Sequence, residues 1–336
     1  LKYGRTIMDY LNNGKWSAVS VGRVMTCVLG MVVKREREIR DFVKTPFYRV
    51  IGKFGYEGQD FDGEWRAVKG SKYFESHLLY KENGFNNKED AAKLIEELKI
   101  IPPSVKAVVC KAEKKKEKKN PPLLFNLAEL QNTCSKLFKI SPDETLKIVQ
   151  ELYEKKLVTY PRTDARVLST AVAKEIFKNI GGLRNYSIVR DIASGILESQ
   201  SYKGIEKTKY VNDKQITDHY AIIPTGQGFN ALNNVNQTAA RVYEVIVRRF
   251  LCIFYPSAEY LKITIAAERL NEQFFSSFKI LSKEGYLAIA SASFAKQKLS
   301  DRQADDNESE DAQTTDNKID ENTIEKLKQL KKGMEI

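Results

Sequence analysis

Between Leu157 and Ser169 one phenol stands among the groups that phosphoryl chemistry needs, in the order Tyr160, Pro161, Arg162, Thr163, Asp164, Ala165, Arg166. A phenol, with a reference pKa near ~10, is a poor nucleophile at neutral pH. Attack on phosphorus therefore requires cations or donors that stabilise the phenolate and the charge of a phosphorane-like transition state. Arg162 can supply that, because its planar and permanently charged fork matches a phosphate bidentately. Pro161 restricts the backbone between the two side chains and holds ring and guanidinium at a nearly fixed separation. The spacing points to a phosphodiester site, although spacing alone also suits a turn after a helix with a solvated arginine.

Two further stretches carry candidate chemistry. His219, in Thr217-Asp218-His219-Tyr220-Ala221-Ile222-Ile223-Pro224-Thr225, is one of two histidines. The other, His77, has no such context and reads as a surface residue. Near the start, Arg5 and Asp9 are four apart and share one helix face, where they equally suit an ion pair. In Ser20-Val21-Gly22-Arg23, Gly22 lets a phosphate approach the backbone at a helix start, with Ser20 as donor or cap and Arg23 as clamp. An ordinary helix start has the same residues.

Taken together, these strings resemble the type IA DNA topoisomerases, and the topoisomerase III branch in particular. Tyr160-Pro161-Arg162-Thr163-Asp164 matches the family's catalytic string, with Ala165 where the family usually has Ser, which removes a hydroxyl expected to reach DNA. Ser20, Gly22, Arg23, Val24 and Thr26 match the Ser-x-Gly-Arg-Val-Gln-Thr-Pro helix that, with an upstream Arg-x-x-x-Asp pair, lines the family's single-strand groove. Met25 and Cys27 replace its Gln and Pro, so a polar contact at Met25 is lost while the phosphate contact of Arg23 can survive. His219 to Thr225 resembles the motif His-x-Ala-Ile-Ile-Pro-Thr.

The resemblance implies catalytic roles for Tyr160, Arg162 and His219, the last donating a hydrogen bond to the scissile phosphate or its neighbour. It implies DNA contacts for Arg5, Asp9, Ser20, Gly22, Arg23, Met25, Thr163, Asp164, Arg166 and Thr225. The implied reaction is transesterification, in which Tyr160 attacks single-stranded DNA, forms a 5′-phosphotyrosine and lets another strand pass. Mg²⁺ is implied for the whole enzyme, in an N-terminal toprim domain outside this sequence, and no metal site or cofactor is expected in this chain. ATP is not expected, in agreement with the lack of a Gly-x-x-x-x-Gly-Lys loop. The implied setting is bacterial and cytoplasmic, at the nucleoid or a mobile element. A non-cleaving single-stranded DNA-binding module and a tyrosine recombinase or relaxase are the competing readings. The last two usually need more histidines than two.

The elements that must position these residues read as α+β and multidomain. The chain has 336 residues, enough for two or three domains, and a formal net charge of +11 that suits a polyanionic partner. Four scattered cysteines without Cys-x-x-Cys spacing indicate neither zinc nor a disulfide framework. No apolar run approaches the ~18 residues of a membrane span. The start, without Met or a signal-peptide core, places Leu1 in mid-protein.

Residues 1–46 read as helical, the part of the family's domain IV that lines the groove. Residues 47–122 read as the first part of a β-rich domain II, with strands near 47–52 and 104–109 and a helix over 88–98. The stretch Lys111 to Lys119 reads mainly as a solvated strand end or linker, with nonspecific DNA attraction as the lesser reading. Residues 123–255 read as a mostly helical domain III, winged-helix-like by resemblance. Its second helix opens on Ser141-Pro142-Asp143-Glu144, a capping box, and ends near Lys156, delivering Tyr160 just past its end. Residues 256–336 read as the return of domain II, with an acidic loop near 300–321 expected to be disordered. By resemblance the whole is part of a toroid, with the helical domain inserted in a β-rich arch.

Overall fold

The computed structural model describes residues 22–100, 106–294 and 325–336. Arg5, Asp9, Ser20 and the acidic stretch near 300–321 lie outside the described residues, as does the side chain of Arg23. Mixed helix and sheet build the chain around two separate apolar cores.

The first core lies on one face of a five-stranded antiparallel sheet. Its strands are β1 (Ile51–Tyr56), β2 (Gln59–Arg66), β5 (Val108–Lys119), β6 (Ala258–Arg269) and β7 (Glu272–Lys283), in the order β1-β2-β7-β6-β5. The short pair β3 (Leu79–Lys81) and β4 (Gly84–Phe85) stands beside it. Alternate residues of each strand face the same way, so Phe61, Ile263, Ile265, Phe274 and Phe278 form one apolar surface. Trp65 stacks on Phe85 within it, ring centroids 4.9 Å apart. Leu94 of helix α2 (Lys88–Lys99) and Leu327 and Leu330 of the last segment close over that surface. The buried Glu272 carboxylate accepts from Trp65 Nε1 at 2.7 Å and from the Lys72 N–H at 2.9 Å, so it does not sit unpaired in apolar surroundings.

The lysine stretch from Lys111 to Lys119 is neither linker nor strand end. It is the body of β5, paired residue by residue with β6 from Lys111↔Ala266 to Lys119↔Ala258. Lysine has little intrinsic preference for strands, and here the long-range ladder overrides that preference. Two other expectations shift at their edges. Tyr48 makes only an isolated bridge to Phe85, with the strand starting at Ile51, and residues 42–47 are non-helical.

The second core is helical. It is built by α3 (Leu127–Phe138), α4 (Pro142–Glu154), α5 (Thr170–Leu183), α6 (Arg190–Glu198), the short α7 (Phe229–Leu232) and α8 (Gln237–Cys252). The N-caps are side-chain caps where the sequence supplies them: Asn126, Ser141, Ser169 and Asn236 each accept from an N–H in the first turn. After β7 the chain comes back to this core through α9 (Leu287–Ala290), where Tyr286 and Ile289 pack, so residues 284–294 belong with the helices rather than with the sheet. Burial pushes the Cys134 and Cys252 thiols up to about 12, which keeps both protonated and unreactive. All four cysteines are free.

Helix α1 (Arg23–Arg40) opens on Gly22, which is its N-cap in extended conformation. The Thr26 hydroxyl donates to the Gly22 carbonyl at 2.9 Å. Gly22 has no side chain with which to cap the helix, and the first turn holds no acid. Among the described residues, no helix is long and apolar enough to cross a membrane.

Candidate active site

Tyr160 is delivered by the end of α4. Pro142 at the first helical position and the Ser141 hydroxyl, accepting from the Glu144 N–H at 3.1 Å, start that helix. Lys156, at φ 60°, turns the chain out of it, and the Leu157 N–H bonds back to the Leu152 carbonyl at 2.9 Å. Leu157 and Val158 then anchor in the helical core.

From Tyr160 onward burial alternates residue by residue. Pro161, Thr163, Ala165 and Val167 are buried, while Tyr160, Arg162, Asp164 and Arg166 are half-buried or exposed. A period of two puts those four side chains on one outward face, with alternate residues about 7 Å apart in extended backbone. Arg162 is exposed and makes no ion pair or hydrogen bond among the described residues, so its fork is free for an anion.

The segment Ala221–Thr225 lies against this one as a strap. Thr159 N–H donates to Ile223 O at 3.0 Å, Thr225 N–H to Leu157 O at 3.0 Å and Ala221 N–H to Val167 O at 3.0 Å. The Thr159 hydroxyl ties the strap twice, donating to Ala221 O and accepting from the Ile223 N–H, both at 3.0 Å. Thr163 adds one tie just ahead of the strap, its hydroxyl donating to His219 O at 2.8 Å, and accepts within its own segment from the Ala165 N–H at 3.1 Å. Gly182 permits the close approach of the strap's exit, since a Cβ there would lie 2.0 Å from the Gly226 carbonyl oxygen.

This strap sets the exposed His219 ring 4.3 Å from that of Tyr160, while Tyr153 meets Tyr160 edge-on at 5.5 Å. The three rings open on a cavity of about 590 Å³ whose wall also includes Lys156, Tyr220 and Gln227. Burial pushes the Tyr220 phenol up, so it remains a protonated donor at neutral pH.

Several expected DNA contacts change character. Thr163 is buried, with donor and acceptor both used on the backbone of the site itself. Ala165 is buried too, so its missing hydroxyl would not have faced DNA. The Thr225 hydroxyl donates to the Lys156 and Leu157 carbonyls. Arg166 lies on the outward face, but its Nε donates to Leu124 O at 3.2 Å and it approaches Glu129 at 3.6 Å. Asp164 is exposed, as is Met25, while Gly22 starts α1. Sequence reasoning assigned no role to Tyr153, Lys156 or Thr159. The helical spacing that places Tyr153 at the exit of α4 was legible, but its meeting with Tyr160 depends on the turn at Lys156.

Replacing Thr163 with Val keeps the shape and deletes the hydroxyl, leaving the His219 carbonyl and the Ala165 N–H without that partner. Loss of about 1–3 kcal/mol of stability is expected, the cost of a buried group left unsatisfied. Urea denaturation checks this, with Thr163→Ser expected to retain most of the stability.

Among the described residues no three His, Cys, Asp or Glu side chains converge as a metal site. The donor set among the described residues does not fit Mg²⁺.

The sequence model of a family described as DNA topoisomerase matches residues 2–333. DNA topoisomerase 3 of Bacillus subtilis is 32% identical over 273 residues, covering 81% of this chain and 34% of that protein. DNA topoisomerase 3 of Bacillus cereus is 30% identical over 291 residues, covering 84% of this chain and 36% of its own length. The chain thus spans about a third of the length of the curated relatives it matches. Full-length topoisomerase I from Thermotoga maritima superposes with a TM-score of 0.55 at 23% identity, over 87% of this chain and 44% of that one, a likeness of fold.

Proposed function

This chain belongs to the type IA DNA topoisomerase family, and we propose that it carries the strand-cleaving tyrosine of a full-length enzyme. Tyr160 Oη attacks a phosphodiester in single-stranded DNA and gives up its proton to water, the P–O bond to the 3′-oxygen breaks, and the leaving oxygen takes a proton from water to become a 3′-hydroxyl. The 5′-phosphate stays on the tyrosine. One phosphodiester is exchanged for another, so the reverse attack reseals the strand without ATP.

The observation that carries this reading is the Tyr160 ring beside that of His219 on the wall of a cavity able to hold part of a DNA strand, with the exposed Arg162 two residues on along the same outward face. Arg162 takes the non-bridging oxygens as charge develops on them, and His219 donates to the same phosphate or its neighbour. Thr159 and Thr163 spend their hydroxyls on the backbone and so hold in place the segment that brings His219 to Tyr160. Arg166 and Asp164 flank the strand, with Arg166 partly committed to Glu129. At α1, the helix start after Gly22, with no acid in the first turn, favours a phosphate beside Arg23. Mg²⁺ belongs to another part of the enzyme, and the setting is the bacterial cytoplasm.

Incubating a full-length enzyme carrying this segment with end-labelled single-stranded oligonucleotides tests the polarity. Label on the 3′ side of the break is expected to stay with the denatured protein, and label on the 5′ side to be released. The opposite distribution, or no adduct, would overturn the assignment.

A further inference from the structure

A second concentration of charge lies on the sheet. Strand β5 carries Lys111, Lys114, Lys115, Lys116, Lys118 and Lys119 against Glu113 and Glu117. Part of this has a plain explanation, because β5 is an edge strand and lysines on an edge discourage pairing with another chain. That explanation does not reach the interior strands. The register sets Lys115 opposite Lys262 of β6, and Lys262 opposite Lys279 of β7, so three lysines form one row across three hydrogen-bonded strands.

The row lies on the face opposite to Ile263, Ile265 and Phe278, and spans about 10 Å at the usual strand separation. Like charges directly opposite each other destabilise a sheet. Relief within the chain is partial: Glu117 approaches Lys279 at 3.5 Å, while Lys115 and Lys262 have no ion-pair partner among the described residues. Lys115 and Lys279 are exposed and Lys262 is half-buried. Lys111 and Lys119, four residues to either side of Lys115, share the face with Glu113, which pairs with Lys111 at 2.9 Å, so five lysines stand there against Glu113 and Glu117.

We propose that this lysine row is a docking surface for the phosphate backbone of double-stranded DNA. A duplex fits better than a single strand. Strand β5 has no aromatic residue, and the neighbouring Tyr260 ring is already covered by Lys279 at 4.7 Å, so unpaired bases find no platform to stack on. A duplex instead presents one charge per ~1.7 Å of axis. At the rise of a strand, β5 runs about 40 Å, close to one duplex turn. The inference rests on the family reading in taking the polyanion to be DNA; it gives the sheet a duplex segment while Tyr160 holds a single strand.

The test is binding of a labelled blunt duplex to the 336-residue chain across a salt series. Changing Lys115, Lys262 and Lys279 together to Gln should lower the slope of log K against log salt by about two to three units. The corresponding triple Arg variant should keep the slope, and Lys116→Gln, on the other face, should leave it within about half a unit. An unchanged slope in the triple Gln variant, shown folded by circular dichroism and gel filtration, overturns the proposal and leaves the lysines as edge protection or as a site for an acidic protein. Should the triple variant not fold, Lys115→Glu alone carries the test: a slope lower by about one unit or more supports the proposal, and no change overturns it. In the full-length enzyme the triple variant should cleave a short single strand normally, whereas a failure of the Tyr160 assignment would show in cleavage and leave the duplex slope untouched.

Discussion

Tyr160→Phe in a full-length enzyme carrying this segment should abolish the covalent protein–DNA adduct while leaving affinity for single-stranded DNA within about twofold. The substitution keeps the ring, and with it the edge contact to Tyr153 at 5.5 Å and the approach of His219 at 4.3 Å. Only the Oη is lost, and with it the atom that bonds to phosphorus. Removing a nucleophile costs on the order of 10⁶-fold in rate, far below detection in a gel assay. Two other phenols line the cavity, so they are the necessary controls. Tyr153→Phe and Tyr220→Phe should both still form adduct. Burial raises the Tyr220 phenol further from ionisation, and Tyr153, though more exposed than Tyr160, sits on α4 before the turn that leads to Tyr160 and Arg162. An adduct from the Tyr160→Phe protein that disappears in Tyr153→Phe would move the nucleophile to Tyr153.

Arg162→Ala should slow single-turnover cleavage at saturating DNA by on the order of 10²-fold or more, the scale for one lost transition-state donor, with only a modest loss of affinity. The guanidinium is exposed and unpaired among the described residues, so in the free protein solvent dilutes its field. Covered by DNA, it acts in a drier setting on oxygens that gain charge during transfer. Contacts made equally in ground and transition states would change binding instead. Arg162→Lys should recover only part of the rate, since an ammonium cannot reproduce the two-pronged contact. His219→Ala should fall in the same direction by less, because an imidazole offers the phosphate one N–H where the Arg162 fork offers two. Unchanged single-turnover cleavage in Arg162→Ala would reduce that residue to a phosphate anchor.

What the sequence determined by itself is what short-range physics controls. Ser141 and Pro142 start α4 because a hydroxyl and a missing N–H suit the first turn wherever they occur. The outward face of Tyr160, Arg162, Asp164 and Arg166 was open to reading in the same way, since Pro161, Thr163, Ala165 and Val167 between them follow a period of two. Thr163 belongs to the same motif as its neighbours, but its parity turns it to the buried face. Only the tertiary structure decided the rest. His219 reaches Tyr160 from 59 positions away because Thr159 and Thr163 spend their hydroxyls on the strap, and no local preference encodes that meeting. The lysines of β5 read as solvated linker until β6, some 140 residues on, supplies the ladder that holds them. The same ladder decides that Lys115, Lys262 and Lys279 form a row. A one-residue slip would have turned β5 over and sent its lysines to the other face, so register, a property of paired strands and of no single one, sets where the charge lies.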